Sequence, residues 1–313
     1  MGQARTKLKI GTRGSKLALW QSEWIKAQIL RVHPDLRVEL VRIKTTGDKI
    51  LDSPLSKIGG KGLFVKEIEE ALFSGRVDLA VHSMKDVPVE LPEGLVLCCY
   101  PKREEPRDAL VSRGDILLED LPARAKVGTS SLRRSAQILH IRPDLRIHSL
   151  RGNVDTRLRK LDQGEYDAIV LAGAGLKRLG LSRRITQYLD PLQVLPAIGQ
   201  GALGVEVRED DHWVVELLSF LNHKPTELAV RAERAFLRRL EGGCQVPIAA
   251  HSALEHGGLV LTGMVADLEG RKLIRDQETG KAERPEEIGL NLAEKLLSKG
   301  AEAILREIYG GHP

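Results

Sequence analysis

The apolar positions along the chain change period from segment to segment, and the changes outline alternating strands and helices. Leu8–Ile10 reads as a short strand, followed by the polar turn Thr12-Arg13-Gly14-Ser15. Leu17, Trp20, Trp24 and Ala27 then recur at helical spacing. Leu36–Ile43 reads as a buried strand. Phe64, Ile68 and Leu72 mark a helix that Gly75 ends. Val77, Leu79 and Val81 alternate as a strand leading into His82-Ser83-Met84-Lys85-Asp86. The polar segment Pro101–Pro106, with proline at both ends, reads as a crossing between domains.

A second series repeats the pattern. The strand Lys126–Gly128 passes through Thr129-Ser130-Ser131 into a helix carrying Leu132, Ala136 and Leu139. The strand Asp144–Leu150 ends at Arg151-Gly152-Asn153, and the strand Asp167–Leu171 leads into Gly173–Arg178. The glycine-rich stretch Pro196–Gly204 returns the chain toward the first domain. After about residue 222 the order changes. Thr226 reads as the N-cap of a helix through Leu240, with Leu228, Ala232, Ala235 and Phe236 facing a core. The strands Pro247–Leu254 and Leu259–Asp267 follow, then a helix over Ile288–Ile304. Strand alternating with helix predicts α/β architecture, and the tail predicts a smaller α+β domain. The boundaries expected are 1–101 with 201–220, then 107–196, then 222–313.

Composition narrows the function classes. Among 313 residues, 42% are hydrophobic and 29% charged, as in a globular protein. Aromatics are only 4%, which supplies a base-stacking surface poorly. The net charge of +5 favours an anionic partner. Three cysteines, Cys98, Cys99 and Cys244, do not read as a disulfide framework and fit a reducing compartment. There is no C-x-x-C pair or H-E-x-x-H helix, so no metal site is expected. No signal peptide or membrane span is read, and the expected location is the cytoplasm.

The candidate chemistry collects just after the predicted strands: Arg13 and Ser15, Lys85 and Asp86, Thr129 through Arg134, Arg151, and Arg178. Ligands of open α/β sheets bind outside the carboxyl ends of strands. Two of these segments also open helices, where free N–H groups and the dipole favour an anion. Arginine forks suit carboxylates. Taken singly, each piece has an ordinary structural explanation. A serine before a helix is commonly only a cap, an Arg-Arg pair a solvated face, and a cysteine a small buried hydrophobe. Together they point to a ligand rich in carboxylates or phosphates. Cys244 follows two glycines and a helix ending in Arg238-Arg239, a setting that favours exposure and the thiolate.

Several runs resemble the porphobilinogen deaminase family. They are Gly11-Thr12-Arg13-Gly14-Ser15-Lys16-Leu17-Ala18-Leu19-Trp20-Gln21, Gly59-Gly60-Lys61-Gly62-Leu63-Phe64 and Val81-His82-Ser83-Met84-Lys85-Asp86-Val87-Pro88. Further along come Val127-Gly128-Thr129-Ser130-Ser131-Leu132-Arg133-Arg134, Leu150-Arg151-Gly152-Asn153-Val154, Pro196–Gly201 and Leu240-Glu241-Gly242-Gly243-Cys244-Gln245-Val246-Pro247. The resemblance covers nearly the whole chain in order, with the last roughly 50 residues matching in pattern only.

It implies two α/β domains similar to periplasmic binding proteins flanking a cleft, plus a small α+β C-terminal domain. It also implies the activity of a hydroxymethylbilane synthase, a transferase. A dipyrromethane primer joined to Cys244 by a thioether would receive four porphobilinogen units, and hydrolysis would release the linear tetrapyrrole. Asp86 would be catalytic. Lys85, Ser83, Thr129, Ser131, Arg133, Arg134, Arg151 and Gly152 would hold the cofactor. Arg13, Ser15, Arg151, Arg157, Arg178 and Gln200 would hold substrate. Lys57 and Lys61 would belong to a mobile loop. The family implies a monomer with no nucleic-acid or membrane partner. Two other readings were weighed. A non-catalytic periplasmic-type anion-binding protein would share the fold but need neither Cys244 nor the absence of an export signal. A nucleic-acid binder would bind with steep salt dependence.

Overall fold

The structure, a computed structural model, describes residues 5–46, 65–241, 246–255 and 257–310. Lys57, Lys61 and Cys244 therefore lie outside the described residues. The chain forms two compact units. Among described residues the first comprises 5–46, 65–103 and 202–227, and the second comprises 104–201 with most of 228–310.

In chain order the first unit begins with β1 (Lys7–Thr12), α1 (Lys16–Val32), β2 (Arg37–Arg42), α2 (Lys66–Phe73), β3 (Leu79–Ser83) and β4 (Leu95–Cys99). The next series is β5 (Asp108–Ser112), β6 (Lys126–Gly128), α3 (Leu132–Ile141), β7 (Arg146–His148), α4 (Val154–Asp162), β8 (Ala168–Ala172), α5 (Gly173–Arg178) and β9 (Gln187–Tyr188). Then come β10 (Leu203–Arg208), α6 (His212–Leu218), α7 (Lys224–Arg239), β11 (Ile248–Glu255), β12 (Gly258–Ala266), β13 (Leu273–Gly280), α8 (Pro285–Leu296) and α9 (Glu302–Gly310). Among the described residues no helix is long and apolar enough to cross a membrane.

The first unit holds a sheet of order β2-β1-β3-β10-β4. β1 runs parallel to β2 and β3, while β10 is antiparallel to β3 and β4. Ile25 and Ile29 of α1 pack with Val214 and Leu218 of α6 on one face, against Leu8, Leu79 and Val81. On the other, Ile68 and Leu72 of α2 cover Ala80. Burial on both faces explains why β3 opens on the apolar run Leu79-Ala80-Val81.

The second unit repeats this order in β7-β6-β8-β5-β9, again with the fourth strand antiparallel to its neighbours. Ile138 of α3 packs on one face with Val127 and Val170. Leu158 and Leu161 of α4 and Leu176 of α5 pack on the other with Ile169. The same unit contains the antiparallel sheet β11-β12-β13. Phe236 of α7 and Leu292 of α8 join Leu261 in its core. Glu233, fully buried on α7, accepts from the backbone of Gly199 at 2.6 Å and of Ser252 at 2.9 Å, and so ties a loop, a helix and a strand together. The α/β architecture with a small α+β part follows directly from these three sheets.

Several sequence expectations are corrected. The buried stripe of α1 is Gln21, Ser22, Ile25 and Ile29, not Leu17, Trp20, Trp24 and Ala27; Trp20 is 37% exposed. Gln21 turns inward because its amide has a partner on β3. In α3 the buried positions are Arg133, Arg134, Ala136, Gln137 and Ile138, while Leu132 and Leu139 are only half-buried. Thr226 is not a cap. Lys224 already belongs to the helix, and the Thr226 hydroxyl accepts from Arg103 N at 3.0 Å. The single helix expected over 288–304 is broken, because Gly300 takes φ 103° between α8 and α9. The strands β4, β5, β9, β10 and β13 were not read from the sequence.

Candidate active site

The carboxyl ends of β1 and β3 deliver the first group of side chains. Ser15 caps α1, accepting from Ala18 N at 3.2 Å. Ser83 ends β3 and accepts from the buried Gln21 amide at 2.9 Å, which ties α1 to the strand carrying the site. A short 3-10 turn, Met84–Asp86, follows; Met84 is buried while Lys85 and Asp86 are exposed. Arg13, Ser15, Gln21, His82, Ser83 and Asp86 line one cavity of about 70 Å³, whose apolar lining includes Val65 and Ile68. The structure thus brings together four expected site residues and adds two, Gln21 and His82. A larger groove of about 190 Å³ beside β13 and α8 is lined by opposed charges such as Glu278, Lys281, Arg284 and Glu287, and contains none of the expected site residues.

Equivalent strand ends in the second unit deliver the rest. Thr129 is buried and accepts from Ser131 N at 3.2 Å, and Ser131 caps α3 by accepting from Arg134 N. Neither α1 nor α3 carries an acidic residue in its first turn, whereas α2 carries Glu67 and Glu69. The positive ends of α1 and α3 are therefore not offset by their own side chains. Gly152 has φ 111°, and a Cβ there would meet Thr156 at 2.7 Å, so only glycine fits beside Arg151. Arg157 Nε donates to the Gly152 carbonyl at 2.8 Å. Arg151 is half-buried and has no hydrogen-bond or ion-pair partner among the described residues. Arg178 donates to the Gly201 carbonyl at 2.7 Å; burial pulls its guanidinium down to about 10, against the opposing pull of Glu104. It remains a cation at neutral pH.

Three of the expected site residues have partners within the protein. Arg133, Arg134 and Gln200 converge on Asp108, a residue the sequence reading passed over. Arg133 Nη1 donates to Asp108 Oδ2 at 2.7 Å and to the Leu195 carbonyl at 2.7 Å. Arg134 uses all three nitrogens internally: Nε and Nη2 donate to Asp108 Oδ1 at 3.0 and 2.7 Å, and Nη1 donates to the Val170 carbonyl at 3.0 Å. Gln200 is fully buried, and its amide donates to Asp108 Oδ1 at 2.9 Å and to the Pro106 carbonyl at 2.7 Å. Burial alone would raise the Asp108 carboxyl, but the facing arginine charges and their hydrogen bonds hold it well below the usual carboxylate range. These side chains brace β5, α3 and β8.

Of the cysteines, Cys98 and Cys99 lie on β4. Cys99 is buried, and a hydrogen bond with the free Cys98 thiol together with burial pushes its own thiol up, making it a poor nucleophile.

Comparison with known proteins decides among the readings. Residues 8–216 match the model described as porphobilinogen deaminase, dipyromethane cofactor binding domain, and residues 227–298 match porphobilinogen deaminase, C-terminal domain. The chain belongs to the porphobilinogen deaminase family. It is similar to the porphobilinogen deaminase of Pelobacter propionicus, 56% identical over 303 residues, covering 97% of both chains. The enzyme of Syntrophotalea carbinolica is 58% identical over 298 residues, covering 95% of both. That of Nitratidesulfovibrio vulgaris is 58% identical over 309 residues, covering 97% of this chain and 98% of the relative. Among solved structures, the periplasmic aliphatic sulphonate binding protein SsuA from Escherichia coli aligns with a TM-score of 0.41 and 14% identity, covering 76% of this chain and 71% of that one. As a porphobilinogen deaminase family member the chain is a transferase, a hydroxymethylbilane synthase of tetrapyrrole biosynthesis with a dipyrromethane cofactor.

Proposed function

We propose that Asp86 is the acid–base group with which this chain condenses porphobilinogen, and that Cys244 anchors the dipyrromethane cofactor through a thioether. The observation that carries the reading is the 70 Å³ cavity in which Asp86 shares walls with Arg13, Ser15 and Ser83. The substrate pairs two carboxylates with an aminomethyl group. An arginine and two hydroxyls beside one carboxylate suit both ends of such a molecule.

The cofactor, when bound, supplies the acceptor carbon on which the chain grows. The residues present fit so acidic a group. Arg151 is a half-buried cation with no hydrogen-bond or ion-pair partner among the described residues, and α3 starts at the half-buried cap Ser131 with no acidic side chain in its first turn. Arg151, Arg157 and Arg178, with Thr129, Ser131 and Lys85, would hold cofactor and substrate carboxylates. Arg133, Arg134 and Gln200 would act from behind, keeping α3 in place through Asp108. Asp86 stabilises the positive charge that develops as ammonia leaves and takes the proton released when the new ring regains aromaticity. Four units are added before hydrolysis releases the tetrapyrrole. The reading includes a cytoplasmic monomer, three domains divided at 1–101 with 201–220, 107–196 and 222–313, and Lys57 and Lys61 in a mobile loop.

Asp86→Asn tests the assignment. The variant is expected to keep the parent's thermal transition and to lose turnover by at least ~100-fold. Normal turnover by the folded variant would remove Asp86 from the chemistry.

A further inference from the structure

Behind the Asp86 cavity lie three titratable side chains to which the proposed chemistry gives no task. His82, on β3 one residue before Ser83, lines that cavity and is 6% exposed. Its Nε2 lies 2.8 Å from Glu206 Oε2 on β10. The strand register explains the meeting: Gly204 opposes His82 and Glu206 opposes Ala80, so histidine and glutamate form a diagonal pair on one sheet face. Helix α2 covers that face, and its Glu69 is buried there at 8% exposure. Burial, and then the charge of Glu206, raises the Glu69 carboxyl, with His82 opposing. Glu206 Oε1 is buried with no hydrogen-bond partner among the described residues. His82 Nδ1 likewise makes no hydrogen bond among them.

A carboxylate on one ring nitrogen fixes an imidazole's orientation and leaves the other nitrogen free to exchange a proton. We propose that His82, held by Glu206 and backed by Glu69, is the proton reservoir of the Asp86 cavity, a positioning residue acting through Asp86. The inference rests on the acid–base reading of Asp86. In each condensation the aminomethyl C–N bond breaks with its electron pair going to nitrogen, and ammonia leaves. A C–C bond forms, and the carbon that forms it then loses one proton, whose bonding pair returns to the ring. Ammonia gains one proton to become ammonium, so a single proton passes from carbon to nitrogen. Asp86 collects it from carbon, and His82 stores it and returns it, leaving both groups unchanged. Glu206 from β10 and Glu69 from α2 are the charged groups beside the ring, while Arg13 from the turn after β1 and Asp86 from the turn after β3 line the same cavity.

The test compares His82→Gln, Glu206→Gln and Asp86→Asn holoenzymes, measuring kcat and KM across roughly pH 5–8, the range in which histidine changes charge. In His82→Gln, kcat is expected to fall ~10- to 100-fold with KM within about twofold, and one limb of the kcat profile to flatten. In Glu206→Gln, kcat is expected to fall in the same sense, because the ring loses the carboxylate that orients it. A His82→Gln profile parallel to the parent's, whatever the drop in kcat, overturns the proposal. If His82→Gln does not fold, a parent-like kcat in Glu206→Gln overturns it instead. Normal turnover by Asp86→Asn would sink the Asp86 reading itself. An inactive Asp86→Asn beside a parent-like His82→Gln profile would sink only the reservoir.

Discussion

Arg134 and Arg151 show arginine put to opposite uses within one unit. Arg134 is buried with all three nitrogens satisfied by Asp108 and a carbonyl, while Arg151 is half-buried without a partner among the described residues. The two should fail differently. Arg151→Gln is expected to unfold within ~0.5 kcal/mol of the parent, since it breaks no hydrogen bond or ion pair among the described residues. It should nonetheless stall elongation, seen as a changed distribution of enzyme–substrate intermediates in electrospray spectra; an unchanged distribution would exclude a carboxylate contact. Asp108→Asn should cost about 3–5 kcal/mol in urea unfolding at pH 7, because it leaves two buried guanidiniums uncompensated. The folded carboxyl lies below its unfolded value of ~3.9. Its stabilisation is therefore complete above that pH and is lost as pH falls through the folded value. The gap between parent and variant should narrow only in acid. Equal stabilities at pH 7 would contradict the network. In the sequence, Arg151 was legible because it follows a strand. The inward turn of Arg133 and Arg134 was not, because Asp108 is supplied from a distant strand and only the fold brings it beneath α3.

At the level of elements, strand ends were easier to read than helix faces. The site turns after β1, β3, β6, β7 and β8 were found from apolar runs that stop at Arg, Ser, Thr or Gly. The inner faces of α1 and α3 were misjudged because polar residues occupy them: Gln21 reaches Ser83, and Gln137 donates to the Leu195 carbonyl at 3.1 Å. A hydrophobic count turns such a helix the wrong way. His82 and Glu206 escaped notice for the same reason, since neither makes sense until β10 lies against β3. The face of α7 carrying Ala232 and Phe236 was read correctly, and its partner α8 approaches closely. A Cβ at Gly289 would lie 2.4 Å from the Ala232 carbonyl oxygen and 2.8 Å from Phe236 N, both backbone atoms that cannot step aside. Gly289→Ala should therefore cost about 1–3 kcal/mol. Gly14→Ala, with no atom within 4 Å, should stay within ~0.5 kcal/mol. Matching thermal shifts for the two would show that α8 does not need the close approach.

Across the whole molecule, two sheets of the same strand order each carry the candidate site residues at their strand ends, and a small antiparallel sheet follows α7 in the chain. The α/β character was legible because strands such as β8, buried on both faces, read as unbroken apolar runs between helical segments. The antiparallel strands β5 and β10 went unread because their pairing is set by distant chain segments. The central claim is a covalent primer on Cys244, and the direct measurement is the intact mass of the denatured protein after incubation with porphobilinogen, beside Cys244→Ser. The account predicts an excess equal to two linked pyrroles that is absent from the variant. A bare polypeptide mass in both, with no tetrapyrrole formed, would contradict it.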